Sequence, residues 1–412
     1  MQYTFPTAPI VHEPTLRSHA ALLFSDTSSA SLFASPNECE RATHMSSFAL
    51  VTAVCASISS VVPETLLSYG PVVAAIFLQA SRETLKAYED YDLEHPNSAS
   101  LSIRDLQSVA LQHVTGKKGI ADHVLGEAGL IALKLRLYNE QAVVRSDPIE
   151  AQLLRLSFWH LYSADKAAAS LESRAYILHE GLFVGGLTLL PSAETFTPLM
   201  DTDTPWDEEP FEERLLVGFQ LIPHLWGSAA RLLASMRAYD KAAKNGNGTL
   251  SALTRQYLDF VGVIDGLPHW LQVSNLIASP EDSAAVSRQK KSFWVQRCTS
   301  LMTFHCLRLV ILQQCIDSGL WDVMGLSDQP LALAMKKAET IQDFVQTTDD
   351  IPFIYHQIKG EPNVERIRRV GTILLEMIQN VDNEAIKERA RSYFARLLDT
   401  LTRLDSKVSE EL

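Results

Sequence analysis

Cysteine is scarce in this chain of 412 residues, which contains five. The count is odd and no Cys-x-x-Cys pair occurs, so the sequence has the pattern neither of a secreted disulfide framework nor of a closely spaced zinc-thiolate site. Cys298, Cys306 and Cys315 fall in one apolar helical stretch. We therefore expect buried free thiols there, and no metal ion or other cofactor is predicted.

Glycine and proline are also infrequent, with 18 residues of each. This is too few for a β-rich chain that turns about every ten residues. Hydrophobic residues make up 46% of the chain and charged residues 21%. That composition is typical of an ordinary folded globule and excludes a disordered or collagen-like chain.

Basic residues are in the minority, with 36 Lys and Arg against 49 Asp and Glu and a formal net charge of −13. Phosphate backbones attract basic surfaces, so direct nucleic-acid binding is not expected. The first 20 residues contain charges and prolines in place of the continuous apolar stretch of a secretory signal. We predict a protein of the nucleus or cytoplasm that is not secreted.

One stretch requires a test for membrane insertion, because Glu64 is the only charged residue between Arg41 and Arg82. A helical hairpin in lipid is one interpretation. However, serines and threonines dilute the first half, and Pro63 and Pro71 interrupt the run, whereas a spanning helix needs about 20 mostly apolar residues. Two buried core helices are the favoured interpretation, and no membrane partner is expected.

Helical periodicity dominates the sequence. Asp147-Pro148 provides an N-cap and a first-turn proline, and Leu154, Phe158 and Leu161 then repeat at helical spacing. Cys298–Ile316 is apolar on most sides, which predicts a buried helix. Gly181–Leu190 is compatible with a short strand, although its glycines favour a loop. We predict an all-α fold with one multi-helix domain over residues 1–412, a core from about 10 to 400, and roughly 12–16 helices.

Sequence motifs of catalysis are missing: no Gly-x-Ser-x-Gly, His-Glu-x-x-His, Walker or dinucleotide-binding pattern occurs. The aromatic–histidine pairs His269-Trp270 and Tyr355-His356 are of a kind that lines pockets. If the chain is an enzyme, the candidate catalytic residues are therefore His269, His305, Tyr355 and His356. His305, however, lies in the predicted buried helix, where a hydrogen-bonded core histidine is the simpler interpretation.

The segment Met200–Arg214 contains seven acidic residues, with Trp206 and Phe211 among them. Acidic segments that expose aromatic side chains can dock into coactivator grooves. The favoured alternative is an acidic surface loop whose two aromatic side chains fold onto the domain.

A family resemblance rests on residues 155–166, Arg-Leu-Ser-Phe-Trp-His-Leu-Tyr-Ser-Ala-Asp-Lys. This string resembles the signature of the fungal transcription-factor regulatory region, the middle homology region of the binuclear zinc-cluster regulators. The residues that fit are Arg155, Phe158, Trp159, Leu161, Tyr162, Asp165 and Lys166. Residues 267–271 and 304–309 are similar to two further motifs of that family, and the similarity covers roughly residues 10–400. The Gly-Arg-Pro that follows the family signature is reduced here to Arg174, and the six-cysteine zinc cluster is missing.

The resemblance implies an effector-sensing regulatory domain that controls fungal gene expression through partners, without a DNA-binding element of its own. A small-molecule effector and a DNA-binding or coactivator protein are the partners it implies. Candidate ligand-binding residues are Trp159, Tyr162, Arg174 and Trp270. Within the signature, Phe158 and Leu161 are expected to anchor the core. Asp165 is expected to pair with an arginine such as Arg174 or Arg155 and thereby to fix the segment that leaves the helix.

Two alternatives remain open. Because a fold does not fix a function, the same scaffold can serve as a small-molecule-binding protein or enzyme of fungal secondary metabolism, acting on a reactive apolar intermediate as substrate. The third possibility is a scaffold in which the apolar stripe of residues 383–404 forms a homodimer contact. Packing of that stripe on its own domain is the simpler interpretation.

Overall fold

The computed structural model describes residues 2–23, 33–144, 146–171, 175–182, 197–200, 211–239, 246–404 and 406. Within these residues the chain forms 16 α-helices and no strand. The all-α prediction is confirmed. Of the ambiguous stretch Gly181–Leu190, residues 183–190 lie outside the described residues, and Glu180–Leu182 is a short 3-10 helix.

The helices are numbered in chain order. In the first part they are α1 (Glu13–Leu23), α2 (Glu38–Val61), α3 (Gly70–Ala87), α4 (Glu89–Glu94), α5 (Ser98–Thr115), α6 (Lys118–Lys134), α7 (Glu140–Val143) and α8 (Pro148–Leu171). In the second part they are α9 (Phe211–Arg237), α10 (Gly246–Asp265), α11 (Val273–Leu276), α12 (Ala284–Asp317), α13 (Pro330–Asp350), α14 (Phe353–Lys359), α15 (Glu361–Asn380) and α16 (Glu384–Leu404). Two further 3-10 helices are His269–Leu271 and Trp321–Met324.

Side-chain caps set several helix starts where the sequence predicts them. The Asp147 carboxylate accepts the backbone N–H of Ile149 at 3.0 Å, so α8 begins at Pro148 as expected. α5 begins with a capping box, in which Asn97 accepts backbone N–H groups while Ser100 bonds back to the Asn97 N–H. It ends at Gly116, whose φ of 67° is left-handed.

α12 is the central helix of the second part and is 34 residues long. It packs against α9, α13, α14 and α15. Cys298, Cys306 and Cys315 are all buried and free, as the apolar pattern predicts. α16 packs on α13 and α15 and buries Tyr393 and Leu397. The stripe of residues 383–404 is therefore covered by its own chain.

The apolar helix pair near the beginning of the chain consists of α2 and α3, which pack against each other and against α5. Among the described residues, α2 alone is long and apolar enough to cross a membrane, and 44% of its most apolar window is buried inside the protein. The break between the two helices contains Pro63, as the sequence predicts.

Residues 2–12, called here the N-terminal arm, run without α-helix between the two parts of the fold. Phe5 is 1% exposed and belongs to the main apolar cluster. The Gln296 side chain on α12 donates to the Pro6 carbonyl at 2.8 Å, and Ser102 on α5 donates to the Ile10 carbonyl at 2.7 Å. The arm thus connects α5 to α12 through the carbonyls of Pro6 and Ile10. In a helix these carbonyls would accept hydrogen bonds from the helix backbone, whereas here side chains of other helices supply the donors.

An ion pair lies inside the first part of the fold. Arg104 is 0% exposed, and its guanidinium donates to Asp92 Oδ2 at 2.7 Å. Ser100 Oγ donates to the other Asp92 oxygen at 2.6 Å. The pair fixes α4 against α5, since each partner is held by hydrogen bonds in a place that water does not reach.

The acidic segment Met200–Arg214 is described only at its two ends. Phe211 is 3% exposed and packs edge-on against Phe293 at 5.5 Å between ring centroids. Glu212 accepts the backbone N–H groups of Leu199 and Met200 at 2.7 and 3.0 Å. One of the two aromatic residues is therefore folded onto the domain, while Trp206 lies outside the described residues.

Candidate functional site

A cavity of about 280 Å³ lies where the N-terminal arm meets α2, α5, α8, α14 and α15. Its wall is mostly apolar. The apolar lining includes Phe5, Val54, Ile58, Leu106, Val109, Ala164, Ala167, Ala168, Ile222, Trp226 and Ile358. Charged and titratable side chains also line it, namely Asp105, His113, Lys118, Asp122, His160, Lys359, Glu365 and Arg366. An apolar cavity with a few converging polar groups is the usual form of a small-molecule site.

A histidine–aspartate pair forms one polar wall of this cavity. His160 Nε2 on α8 lies 3.3 Å from Asp105 Oδ1 on α5, and the two side chains are 23% and 6% exposed. Burial by itself would lower the pKa of His160, and the charge of Lys359 acts in the same direction. The hydrogen-bonded Asp105 carboxylate and the Thr7 carbonyl outweigh both and raise that pKa above its ordinary value.

Lys359, the last residue of α14, forms a second polar wall. Its Nζ donates to Thr7 Oγ1 on the N-terminal arm at 3.2 Å. Among the described residues, no carboxylate lies within ion-pair distance of this amine. Burial, with a smaller contribution from the nearby Arg366, lowers the pKa of Lys359 to about 8. At pH 7 about a tenth of this lysine is therefore the neutral amine, far more than for a surface lysine.

Gly360 follows Lys359 and joins α14 to α15 with a φ of 53°. A Cβ atom at this position would lie 2.2 Å from His113 Nε2. The His113 ring is itself fixed, because its Nδ1 lies 2.8 Å from the Val109 carbonyl and must donate to it. Both the left-handed backbone and the approach of His113 require glycine here, and together they orient the end of α14 toward the cavity.

An ion pair on the cavity wall connects α6 to α15. Lys118 Nζ lies 3.4 Å from Glu365 Oε1, and the two side chains are 35% and 34% exposed. These are among the more solvent-accessible groups of the lining. A pair with this exposure contributes little to stability.

The four histidine and tyrosine candidates of the sequence do not line the cavity. His356 is buried, donates from Nε2 to the Thr348 carbonyl at 3.0 Å and accepts the Asn363 amide at Nδ1 at 3.2 Å. Tyr355 stacks on Trp294, with 5.6 Å between ring centroids. His305 is partly buried beside Arg308, and burial followed by that positive charge lowers its pKa to about 4. His269 is exposed on a 3-10 helix.

Three of the candidate ligand-binding residues, Trp159, Tyr162 and Trp270, lie outside the cavity as well. Tyr162 is 2% exposed, and its hydroxyl donates to Glu180. Trp159 packs edge-on against Tyr162, at 5.2 Å between ring centroids. Trp270 lies beside His269, at 5.1 Å between ring centroids. Arg174 falls outside the described residues.

The signature helix α8 has the structural role that the sequence predicts, with a different partner. Phe158 and Leu161 are buried core anchors. Asp165 fixes the segment after the helix by accepting the backbone N–H groups of Ile177 at 2.8 Å and Leu178 at 3.1 Å. Its cationic neighbour is Lys166 at 3.2 Å. The expected pairing with Arg155 is wrong, because that guanidinium binds Glu140, and the alternative pairing with Arg174 lies outside the described residues.

His160 lies in the middle of residues 155–166 but is not among the candidate residues predicted from the sequence. Its partners Asp105 and Lys359 are remote in sequence, so no motif spacing connects the three. A local signal existed in the alanines that follow on α8: Ala164, Ala167 and Ala168 leave the space that becomes the cavity. Small residues on one helix face beside a buried polar group mark such a space.

The chain matches no protein-family model, no curated protein and no solved structure. The function is therefore inferred from the cavity, from the groups that line it and from the resemblance of residues 155–166.

The His160–Asp105 pair predicts a pH-dependent contribution to stability. Because the pKa of His160 is raised in the fold, the contribution is complete below about pH 6.5, the ordinary value, and is lost as the pH rises through the folded-state pKa. We expect His160→Gln to lower the free energy of unfolding by about 1 kcal/mol at pH 6 and by less at pH 8.5. Urea unfolding at both values measures this difference.

The matched control for this experiment is His269→Gln, in which the replaced ring is exposed. It should leave the unfolding midpoint unchanged at both pH values. An equal loss of stability for His160→Gln at pH 6 and pH 8.5 would contradict the ion-pair interpretation and assign the histidine a packing role only.

Proposed function

We propose that the chain is a small-molecule-binding regulatory protein, an all-α effector-sensing domain that transmits ligand occupancy to protein partners. The observation that carries the proposal is the apolar cavity with His160, Asp105 and Lys359 on its wall. The resemblance of residues 155–166 to the fungal transcription-factor regulatory region supports the regulatory part. The net charge of −13 suits a domain that leaves contact with DNA to a partner.

The ligand class follows from the cavity wall. Its aliphatic and aromatic side chains favour a mostly apolar molecule, because burial of apolar surface supplies most of the binding free energy. The cluster of Lys359, Arg366 and His160 at one side favours an oxygen acceptor on that molecule. We therefore expect an apolar compound with a carbonyl or other oxygen function at one end.

The position of the cavity provides a route from binding to regulation. A ligand there contacts the N-terminal arm together with α2, α5, α8 and α14. These elements come from distant parts of the chain. A ligand that binds the assembled arrangement of these elements more tightly than a separated one increases the population of the assembled arrangement. Ligand binding thereby affects any partner-binding surface that depends on the position of the N-terminal arm.

Filling the cavity should abolish ligand binding. Ala164 lines the cavity from α8, and Ala164→Phe places an aromatic ring in the space that the ligand needs. We expect the affinity for an apolar fluorescent dye to fall by at least about tenfold, which corresponds to about 1.4 kcal/mol of binding free energy. Dye titration followed by fluorescence measures the loss, and circular dichroism verifies that the helical content is retained.

Ala395→Phe is the matched control, since Ala395 is exposed in α16 and remote from the cavity lining. It should bind the dye like the unmodified chain. Equal dye binding by both variants would place the dye outside the cavity and contradict the proposed site.

The regulatory part is tested in cells. The chain is fused to a heterologous DNA-binding domain, and a reporter gene is measured with and without an extract of apolar metabolites. Reporter activity should change with the extract for the unmodified chain and for Ala395→Phe, but not for Ala164→Phe. A reporter that does not respond in any of these fusions would contradict a regulatory function.

A second candidate function is an enzyme of secondary metabolism that acts on an apolar intermediate in the same cavity. The observation in its favour is the His160–Asp105 pair, an arrangement suited to general acid–base catalysis. Turnover of an intermediate by the purified chain, lost in His160→Gln while dye binding is retained, would favour the enzyme. Dye binding without turnover of pathway intermediates would favour the sensor.

A further inference from the structure

Lys359 differs in its surroundings from two other lysines of the described chain, Lys166 and Lys118. Lys166 is also buried, but its Nζ lies 3.2 Å from Asp165 and donates to the Leu178 carbonyl as well. Lys118 lines the same cavity and is paired with Glu365. Lys359 instead reaches the neutral hydroxyl of Thr7 at 3.2 Å and faces the cavity without a carboxylate partner.

We propose that Lys359 forms a covalent imine with an aldehyde or ketone group of the small molecule that occupies the cavity. The inference rests on the proposed function, because it requires a ligand in this cavity, and it adds the chemical class of that ligand. Desolvation in an apolar pocket and a neighbouring cation are the two conditions that make a lysine amine nucleophilic.

Both conditions are present around Lys359. Arg366 on α15 lines the same cavity and is 5% exposed, so a second positive charge lies close to the amine in an environment with little water. The remaining titratable groups that face Lys359 are the Cys298 thiol on α12 and His160 on α8. Burial keeps the pKa of the thiol high, at about 11, so Cys298 supplies no negative charge near pH 7.

The chemistry balances without a further reactant. The lone pair of the neutral Lys359 amine forms a bond to the carbonyl carbon as the carbonyl π bond breaks, and one amine proton passes to the oxygen to give a carbinolamine. The C–O bond then breaks, the oxygen takes the second amine proton and leaves as water, and a carbon–nitrogen double bond remains. The amine and the carbonyl compound thus yield an imine and one water molecule. His160, held by Asp105 in the same cavity, is placed to exchange these protons.

The test uses cinnamaldehyde, an apolar aldehyde, as the probe on the full chain. Sodium borohydride reduces an imine to a stable secondary amine, which mass spectrometry locates by peptide. A lysine with a pKa of about 8 has on the order of a hundredfold more neutral amine at pH 7 than a surface lysine. We expect a single main adduct at Lys359, with a yield at least about tenfold above the yield at Lys118, Lys166 or any other lysine. The yield at Lys359 should rise with pH through about pH 8 and then level off.

The variants are Lys359→Met, which keeps the length of the side chain, and Lys359→Arg, which keeps the charge. Both should lose the adduct. Ala395→Phe, remote from the cavity, should keep it. Labelling spread evenly over surface lysines, or an adduct that persists at another residue in Lys359→Met, would overturn the proposal.

Dye binding separates this inference from the function on which it rests. If Lys359→Met and the unmodified chain both bind the apolar dye but the unmodified chain forms no reducible adduct, the cavity binds ligands and the imine is wrong. If the unmodified chain binds neither the dye nor the aldehyde, the proposed function fails and the inference fails with it. An adduct at Lys359 that the dye displaces supports both.

Discussion

Asp92→Ala should lower the free energy of unfolding by about 3–5 kcal/mol, the largest effect that we expect from a single side chain of the first part of the fold. The substitution leaves the Arg104 guanidinium in a site that is 0% exposed, without the carboxylate at 2.7 Å that compensates its charge. Glu127, at 3.4 Å from Arg104 Nε, is 37% exposed and compensates only in part. Urea unfolding followed by circular dichroism measures the loss.

Two further variants show whether the charge causes this effect. The double variant Asp92→Leu with Arg104→Met replaces both ions by apolar groups, so we expect it to recover most of the stability that Asp92→Ala loses. Glu384→Ala breaks an exposed pair with Arg391 at 2.8 Å and should leave the unfolding midpoint nearly unchanged. A double variant no more stable than Asp92→Ala would contradict the account.

Phe5→Ala is expected to cost about 3–5 kcal/mol, since it removes a ring that is 1% exposed in the main apolar cluster and leaves a void. Phe5 also lines the cavity. The substitution should therefore weaken dye binding in addition to lowering the unfolding midpoint, whereas a residue that serves packing alone would change only the midpoint.

The control for Phe5→Ala is Tyr69→Ala, because the Tyr69 ring is 61% exposed. We expect it to change stability by less than about 0.5 kcal/mol and dye affinity not at all. Thermal unfolding and dye titration of the two variants together provide the comparison. A loss below about 1 kcal/mol for Phe5→Ala would mean that the N-terminal arm is not held in the core.

The helical architecture was predictable because its signals are local. Apolar residues at helical spacing and the Asp147 cap are readable within one turn, and the structure has α8 and α12 where these signals place them. The burial of Cys298, Cys306 and Cys315 follows from the same periodicity. The N-terminal arm was not predicted, because a segment of turns that is held by side chains of remote helices has no periodic sequence pattern of its own.

The site was harder to predict because its chemistry depends on distances between elements. His356 and Tyr355 are of residue types that often act in catalysis, yet their contacts with Thr348 and Trp294 make them parts of the core. Lys359, three residues beyond His356, has no distinctive neighbours in sequence. The environment of its amine is distinctive only in the folded chain, where the backbone turns at Gly360, Thr7 accepts a hydrogen bond from the amine and Arg366 lies nearby.

The N-terminal arm also affects the order in which parts of the chain fold. Ser292 binds the Gln2 carbonyl and Gln296 binds the Pro6 carbonyl, and each of these contacts joins residues 290 positions apart. The arm leaves the ribosome before α12, so the contacts of the Gln2 and Pro6 carbonyls cannot form until α12 has been synthesised. Closing so long a loop is slow and comes late in folding. We therefore expect the wall of the cavity that Phe5 and Thr7 form to be completed late in folding, after α12.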